Sequence, residues 1–165
     1  IKGGGLEMTY GYPFETSHVT SYRATLSEPE VIGPVAEGLR LNIYVTGGEV
    51  LGPRIKGIIR PVGADWLTIR TDGVGILDVR ATLETHDGAL IYVYYNGLAE
   101  LGPDGYKNFL EGALPPPDGI PLRIRPNYQT SHPDYLWVNR ACCVGVGKVD
   151  LIKQEVSYDI YEVTT

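Results

Sequence analysis

Glycine and proline divide this chain into short segments, and this punctuation limits the folds that it can adopt. The 165 residues include 21 Gly and 12 Pro, which disfavours long uninterrupted helices. The segments between them are rich in β-branched and aromatic residues, which favour strands. Asp-Gly pairs at 72–73 and 87–88 separate such segments and are strong hairpin signals. The pattern predicts an all-β sandwich or barrel of antiparallel strands.

The predicted strands are interrupted by one segment of different character. The strands are predicted at 19–28, 39–47, 55–60, 66–71, 74–85, 89–96, 121–130, 135–147 and 149–163. Between them, Tyr106, Phe109 and Leu110 recur at helical spacing, and Gly112 stands where a glycine often ends a helix. We therefore predict one short helix near 104–111.

Composition limits the classes of partner. The net charge of −6 argues against nucleic acid, which requires a basic surface. The chain contains no apolar run of roughly 18 residues, so no membrane span is predicted. Residues 1–7, IKGGGLE, resemble a linker, and we expect a single domain over 8–165. A native start at Met8 predicts a cytoplasmic protein, and a secreted protein that has lost its signal is the alternative.

Cofactor motifs are not evident. VGVGK at 144–148 does not have the spacing of a phosphate-binding loop. Three dispersed His residues and one adjacent cysteine pair give no zinc spacing, so neither a metal nor an organic cofactor is predicted. Cys142 or Cys143 could form a nucleophilic pair with His132, but cysteines within a strand among Val and Ala are expected to be buried and inert.

Several predicted strands alternate apolar and polar side chains. In 75–85, Leu77 and Val79 share one face, while Asp78 and Arg80 share the other. The usual arrangement turns the apolar face inward and the polar face to water. A barrel with a wet lumen is the alternative, in which the polar face meets a ligand. The strand at 89–96 is apolar or aromatic on both faces, which favours a homodimer.

The candidate site residues come from the polar faces and from the segment SHPDYLWVNRACC. An enclosed Asp78–Arg80 pair would orient a substrate oxygen or transfer a proton, whereas an exposed pair would be ordinary surface. The predicted catalytic residues are Asp78, Arg80, Tyr92 and Asn139. The predicted substrate-binding residues are Asp65, Trp66, Tyr94, Arg125, Tyr128, His132, Tyr135 and Trp137. Tyr135, Trp137 and Asn139 would share one face of a strand.

Ordered motifs connect the chain with a known family. They are TGG (46–48), GP (52–53), GADW (63–66), DGV (72–74), LDVR (77–80), DGALIYV (87–93), NG (96–97), PDYLWVNR (133–140) and VGVG (144–147). Together they resemble the uncharacterised protein family 0311, also called domain of unknown function family 3237. The resemblance implies an antiparallel β-barrel of calycin- or lipocalin-like type, here of about 8–10 strands, and carries no settled activity. The adjacent cysteines and the Pro-Pro-Pro loop depart from the family pattern.

Three functions remain open at this point. The first is an enzyme without metal or organic cofactor, a dehydratase, isomerase or cyclase, including pericyclic chemistry, for a hydrophobic aromatic or polyketide-like natural-product intermediate. Orientation in the barrel and donors facing a developing oxyanion would supply its rate. The second is a carrier that binds such a molecule without turnover. The third is an interaction module with a plain polar surface. Convergence of Arg80, Tyr92 and Asn139 on an enclosed cavity would argue against the third.

Overall fold

The structure, a computed structural model, describes residues 8–165, so the predicted linker at 1–7 lies outside the described residues. Within residues 8–165 the chain forms nine strands, one α-helix and one 3-10 helix. The strands are β1 (Glu15–Leu26), β2 (Glu30–Val35), β3 (Gly38–Pro53), β4 (Lys56–Ile69), β5 (Val74–Thr85), β6 (Leu90–Glu100), β7 (Ile120–Gln129), β8 (Cys143–Asp150) and β9 (Glu155–Thr164). The helices are α1 (Gly105–Leu110) and the 3-10 helix Pro133–Arg140, called here the closing helix.

The strands close into a barrel. Their order is β1-β9-β8-β7-β6-β5-β4-β3-β2, all neighbours pair antiparallel, and β1 also pairs with β3. This second pairing makes a ring of eight strands, while β2 pairs with the first part of β3, outside the ring. The prediction of an antiparallel β-barrel with one short helix is confirmed.

Three predictions about individual elements need correction. The segments 55–60 and 66–71 belong to one strand, β4, because a bulge between Ile59 and Gly63 lets the strand continue past Pro61. The strand β2 was not predicted. The strand predicted at 135–147 begins only at Cys143, because the preceding residues form the closing helix.

The closing helix starts where its local sequence favours a helix. Pro133 lies in its first turn, where the missing N–H costs nothing. The His132 ring accepts a hydrogen bond from the Asp134 backbone N–H at 3.2 Å and so caps the helix. Among the residues 8–165, no helix has the length and hydropathy needed to cross a membrane.

The interior of the barrel is apolar. On β5, Leu77, Val79 and Leu83 are buried and face inward, whereas Arg80 is exposed on the outer face. The usual arrangement therefore holds, and the alternative of a polar lumen is wrong. The closing helix covers one end of the barrel through buried Tyr135 and Val138. At the opposite end, α1 contributes Phe109 to the hydrophobic core.

Candidate functional site

The barrel encloses a cavity that reaches from its centre toward the end covered by α1. The cavity leaves about 70 Å³ of space open to the centre of a water molecule. Its apolar wall includes Leu41, Ile43, Leu67, Val79, Val93 and Leu122. Polar groups come from Asp65, Tyr22, Tyr95 and Tyr158, and Asp65 is the only carboxylic acid among the described residues that line the cavity. The arrangement is an apolar pocket with a few polar groups, as in many small-molecule sites.

Asp65 faces inward because it follows the alternation of β4 with Leu67 and Ile69. Across the sheet it pairs with Ile43 on β3 and Val79 on β5, both buried in the core. An acid therefore stands at a position where the neighbouring strands present aliphatic side chains. Its oxygen Oδ1 accepts a hydrogen bond from the Asp78 backbone N–H at 3.1 Å.

The surroundings of Asp65 raise the pKa of its carboxyl group. Burial raises the pKa of its carboxyl to about 7, the Asp78 N–H opposes that rise by stabilising the carboxylate, and the negative charge of Asp78 adds to it. An acid with this pKa is present in both protonation states near neutral pH, which is the condition for efficient general acid–base catalysis.

Tyrosines from three strands line the same cavity as this acid. The ring centroid of Tyr158 on β9 lies 5.4 Å from that of Tyr22 on β1 and 5.6 Å from that of Tyr95 on β6. The bare backbone of Gly147 leaves room for this cluster, because a Cβ there would lie 2.7 Å from Tyr158 Cδ1. Burial raises the pKa of all three phenols, so they remain protonated hydrogen-bond donors.

Two buried hydroxyls in the interior lack partners. Within residues 8–165, the hydroxyls of Tyr22 and Tyr128 make no hydrogen bond. Tyr128 lies on β7 behind the cavity wall, near Cys143. Buried polar groups are nearly always satisfied in folded proteins, and exceptions often mark functional positions. The barrel interior thus contains two hydroxyl groups that could donate a hydrogen bond to a ligand.

The predicted pair Asp78 and Arg80 lies on the outer face of β5. Arg80 Nη1 is 3.1 Å from Asp78 Oδ1, and each side chain is 46% exposed. The Arg80 guanidinium also stacks 4.9 Å from the Tyr94 ring centroid and 5.8 Å from that of Trp66. Asp78 therefore contacts the interior site through its backbone N–H, while its side chain acts on Asp65 only through its charge.

The remaining predicted residues of the sheet also face outward. Tyr92 is 42% exposed, and Arg125 Nε donates to Asn96 Oδ1 at 2.9 Å on the outer surface. Asp65 and Tyr128 are the two predicted site residues that the structure brings into the barrel interior. Convergence of Arg80, Tyr92 and Asn139 on an enclosed cavity is not observed in the described structure.

The predicted residues of the segment 132–139 hold the barrel end together. Tyr135 donates its hydroxyl hydrogen to Asp87 Oδ1 at 2.8 Å, and Trp137 stacks 3.8 Å from the Arg54 guanidinium. Asn139 is hydrogen-bonded to both the N–H and the C=O of Thr130, each at 2.9 Å. The prediction that Tyr135, Trp137 and Asn139 share a strand face is wrong, because these residues form a 3-10 helix and each contacts a different part of the barrel.

The cysteines differ from one another. Cys143 is buried as expected, and burial raises the pKa of its thiol to about 11, which keeps it protonated. Cys142 is exposed, contrary to the expectation for the pair. Within residues 8–165, no group of three or more His, Cys, Asp or Glu side chains is arranged to hold a metal ion.

Sequence reasoning missed Tyr22, Tyr95 and Tyr158 as a cluster. The sequence did indicate that each of these tyrosines faces inward, since each continues the inward alternation of its strand. Tyr158 stands between the buried residues Val156 and Ile160, for example. What could not be read from the alternation is that these strands meet across one lumen.

Fold and cavity together define the class: an eight-stranded antiparallel β-barrel with an apolar lumen, a form that can enclose a small ligand. Within that class, the chain belongs to the family described as Protein of unknown function (DUF3237), whose profile matches residues 14–163. The resemblance noted in the sequence is confirmed.

Its relatives carry the same barrel. The UPF0311 protein RPA1785 of Rhodopseudomonas palustris is 34% identical over 132 residues, which cover 79% of this chain and 86% of that protein. The crystal structure of RPA1785, a conserved protein of unknown function, matches with a TM-score of 0.80 at 31% identity over 93% of this chain and 99% of that one. A beta-barrel like protein, ABAYE2633 of Acinetobacter baumannii, matches with a TM-score of 0.79 at 30% identity over 94% and 100%.

A more distant structure shares the fold alone. A protein described as an enzyme from Penicillium herquei matches with a TM-score of 0.65 at 18% identity, over 94% of this chain and 98% of that one.

Proposed function

We propose that this protein is an enzyme that binds a hydrophobic aromatic or polyketide-like small molecule in the barrel and rearranges it by proton transfer, without a metal or organic cofactor. The reaction belongs to the lyase and isomerase type: dehydration, isomerisation or cyclisation. The observation that carries this proposal is Asp65, a carboxylic acid in an apolar cavity whose pKa is raised to about 7.

The site has the parts that such chemistry requires. Asp65 takes or gives a proton near neutral pH, and general acid–base groups of this kind contribute about 10²–10⁴-fold to rate. Tyr22, Tyr95 and Tyr158 supply donors to a developing oxyanion in a medium from which water is largely excluded. The close apolar wall orients the bound molecule. The fold shared with the Penicillium herquei enzyme is compatible with catalysis.

The catalytic role proposed here belongs to residues of the lumen, not to residues of the outer face. The set Asp78, Arg80, Tyr92 and Asn139 stays a prediction for the outer surface and the closing helix. The barrel interior combines enclosure, a perturbed acid and tyrosine donors, and we therefore favour it.

The first experiment measures binding and turnover together. The neutral dye N-phenyl-1-naphthylamine would report lumen binding by its fluorescence, and a panel of hydroxylated naphthalenes and anthracenones would be screened for displacement. Displacing compounds would then be incubated with the protein and followed by mass spectrometry and NMR. We expect Asp65→Asn to keep dye affinity and to lose turnover about 100-fold or more. Asp159→Asn, the same change at an exposed outer position, is the matched control.

Two outcomes would contradict the proposal. Turnover unchanged in Asp65→Asn would remove Asp65 from the mechanism, and Arg80→Ala would then test the outer-face prediction. Tight binding with no product at any protein concentration would favour the second candidate, a carrier. The carrier is supported by one specific observation: the closing helix and α1 cover the two ends of the barrel and would retain a ligand.

We further propose that the protein is a homodimer. Leu90 and Tyr92 leave apolar surface on the outer face of β6, 54% and 42% exposed. Light scattering of the wild type and of Leu90→Ser would test the dimer, and a monomeric wild type at high concentration would rule it out.

A further inference from the structure

We infer that the substrate is an uncharged, planar cyclic ketone with an acidic C–H next to its carbonyl, and that Asp65 removes this proton while lumen tyrosines bind the carbonyl oxygen. This inference rests on the proposed function and narrows it to enolisation. It follows from three properties of the cavity, namely its wall, its shape and its hydrogen-bonding groups.

The apolar lining of the cavity favours an uncharged ligand. Apart from Asp65 and three tyrosines, the described residues that line the cavity are aliphatic, proline or phenylalanine. An anion would lose its hydration without a cation to pair with it and would face the Asp65 carboxylate, so charged ligands are disfavoured. An ammonium ion would pair with Asp65, but it would present further donors to tyrosines that already need acceptors.

The shape selects a flat molecule. Tyr22 and Tyr95 both meet Tyr158 with tilted or edge-on rings, at interplanar angles of 57° and 74°. The flat faces and edges of these rings form one side of the cavity. Aromatic rings pack well against such ring edges.

The hydrogen-bonding groups select a carbonyl. The Tyr22 hydroxyl lies beside Tyr95, but among the described residues it makes no hydrogen bond of standard distance and angle. A ligand carbonyl seated against the tyrosine cluster would accept from such a donor, and satisfying it would offset the cost of its burial. Tyr95 and Tyr158 lie close enough to Asp65 that its charge raises their pKa, so the acid and the phenols act on one ligand.

The chemical step needs no further reactant. The Asp65 carboxylate takes the proton from the carbon beside the carbonyl. The electron pair of that C–H bond becomes a C=C bond, and the carbonyl π pair moves to oxygen as an enolate that the tyrosine hydroxyls stabilise. Protonated Asp65 then returns the proton to the same carbon or, in a β,γ-unsaturated ketone, to the γ-carbon, which moves the double bond into conjugation.

Two probes of equal shape test recognition. Naphthalene and 2-naphthol differ by one hydroxyl, and 2-naphthol resembles the enol of 2-tetralone. We expect 2-naphthol to bind at least about tenfold more tightly than naphthalene, because the lumen offers hydrogen bonds to its oxygen. Tyr22→Phe should reduce this preference, whereas Tyr44→Phe, which alters an exposed outer tyrosine, should leave it unchanged.

A deuterium-exchange experiment tests the reaction. In D₂O, 2-tetralone exchanges the hydrogens beside its carbonyl, and NMR follows the loss of their signals. We expect the wild type and Asp159→Asn to accelerate this exchange, and Asp65→Asn to reduce the acceleration about 100-fold or more. The wild-type rate should rise as pH increases toward about 7 and then level off, because the carboxylate is the active form.

The outcomes separate this inference from the proposed function. Equal binding of naphthalene and 2-naphthol, or no accelerated exchange in the wild type, would overturn the ketone inference while leaving hydrophobic binding in the lumen intact. Failure of naphthalene, 2-naphthol and the dye to bind would overturn the proposed function itself. If Asp65→Asn does not fold, the pH profile of the wild-type exchange decides, and a flat profile from about pH 5 to about pH 8 would overturn the role of Asp65.

Discussion

Asp65 couples the stability of the barrel to pH. Burial raises the pKa of its carboxyl to about 7 in the folded protein, whereas an aspartate in an unfolded chain has a pKa near about 3.9. Between these values the folded state binds more protons than the unfolded state. The free energy of unfolding therefore falls as pH rises through about 4 to about 7, by at most on the order of 4 kcal/mol for this group.

We expect Asp65→Asn to remove this slope, because the amide keeps the shape of the side chain and does not ionise. Urea unfolding of the wild type and the variant at several pH values from about 4 to about 8 would measure it, with Asp159→Asn as the control. The difference between wild type and variant is the informative quantity, since other acids titrate in both proteins. Two parallel curves would show that Asp65 keeps an ordinary pKa.

The Tyr22 hydroxyl predicts an opposition between stability and binding. It is buried without a hydrogen-bond partner among the described residues, so its burial costs free energy in the unliganded protein. Tyr22→Phe should raise the free energy of unfolding by about 1 kcal/mol and weaken 2-naphthol binding. Chemical unfolding and fluorescence titration of the same variant would measure both effects. A variant that is destabilised and binds normally would give the hydroxyl a structural role instead.

At the scale of elements, an amide side chain joins the closing helix to the end of β7. Asn139 joins the end of the helix to Thr130, and Thr130 Oγ1 in turn donates to the Leu90 C=O at 2.7 Å. Asn139→Ala should lower the free energy of unfolding by about 1 kcal/mol, a modest loss because the site is solvent-exposed. Hydrogen exchange should quicken at residues 130–142 before it quickens in the strands.

The same variant tests the catalytic role predicted for Asn139. Unchanged exchange at the closing helix combined with lost turnover would support that prediction and contradict the structural role. Ser157→Ala, on the outer face of β9, is a control for surface substitution.

The closing helix also shows where sequence periodicity stops being informative. Tyr135, Trp137 and Asn139 repeat every second residue, which is the strand period, and the prediction followed it. In the structure Tyr135 and Trp137 instead contact Asp87 and Arg54, which lie at the turns of two distant hairpins. A local pattern cannot include them, although Pro133 and the capping His132 were helix signals within the sequence itself.

Strand β4 shows that residues which usually end a strand do not always do so. Its two halves were predicted as separate strands because Pro61 and Gly63 usually interrupt a sheet. In the structure a bulge absorbs the interruption, and the chain then presents Asp65 inward. Asp65 was predicted as a site residue from its type and neighbours, and its alternation with Leu67 and Ile69 turns it inward.

At the scale of the whole molecule, the candidate site exists only because the sheet closes. Asp65 lies on β4, Tyr95 on β6, Tyr158 on β9 and Tyr22 on β1, and these strands surround one lumen once β1 pairs with both β9 and β3. Alternation along each strand predicted two faces, yet both a wet and an apolar lumen were compatible with it. Closure around aliphatic side chains settles that choice, because an enclosed polar lumen of this size would leave charges without water.

Gly48 is the position at which closure can be tested. It pairs with Ala24 on β1 and Ile59 on β4, and a Cβ there would lie 2.2 Å from the Arg23 carbonyl oxygen. Gly48→Ala must therefore push β1 away from β3. We expect a loss of about 2 kcal/mol or more in the free energy of unfolding, together with loss of N-phenyl-1-naphthylamine binding.

Gly33 provides the matched control for Gly48. It also has a positive φ, of 114°, but it lies on β2 outside the closed ring, and no atom lies within 4 Å of its added Cβ. Gly33→Ala should therefore cost about 1 kcal/mol from backbone strain alone and leave dye binding intact. If Gly48→Ala loses stability but binds the dye like Gly33→Ala, the lumen does not require the β1–β3 pairing, and the site must be assigned to an open sheet. If it loses both while Gly33→Ala retains binding, closure of the ring is what creates the pocket.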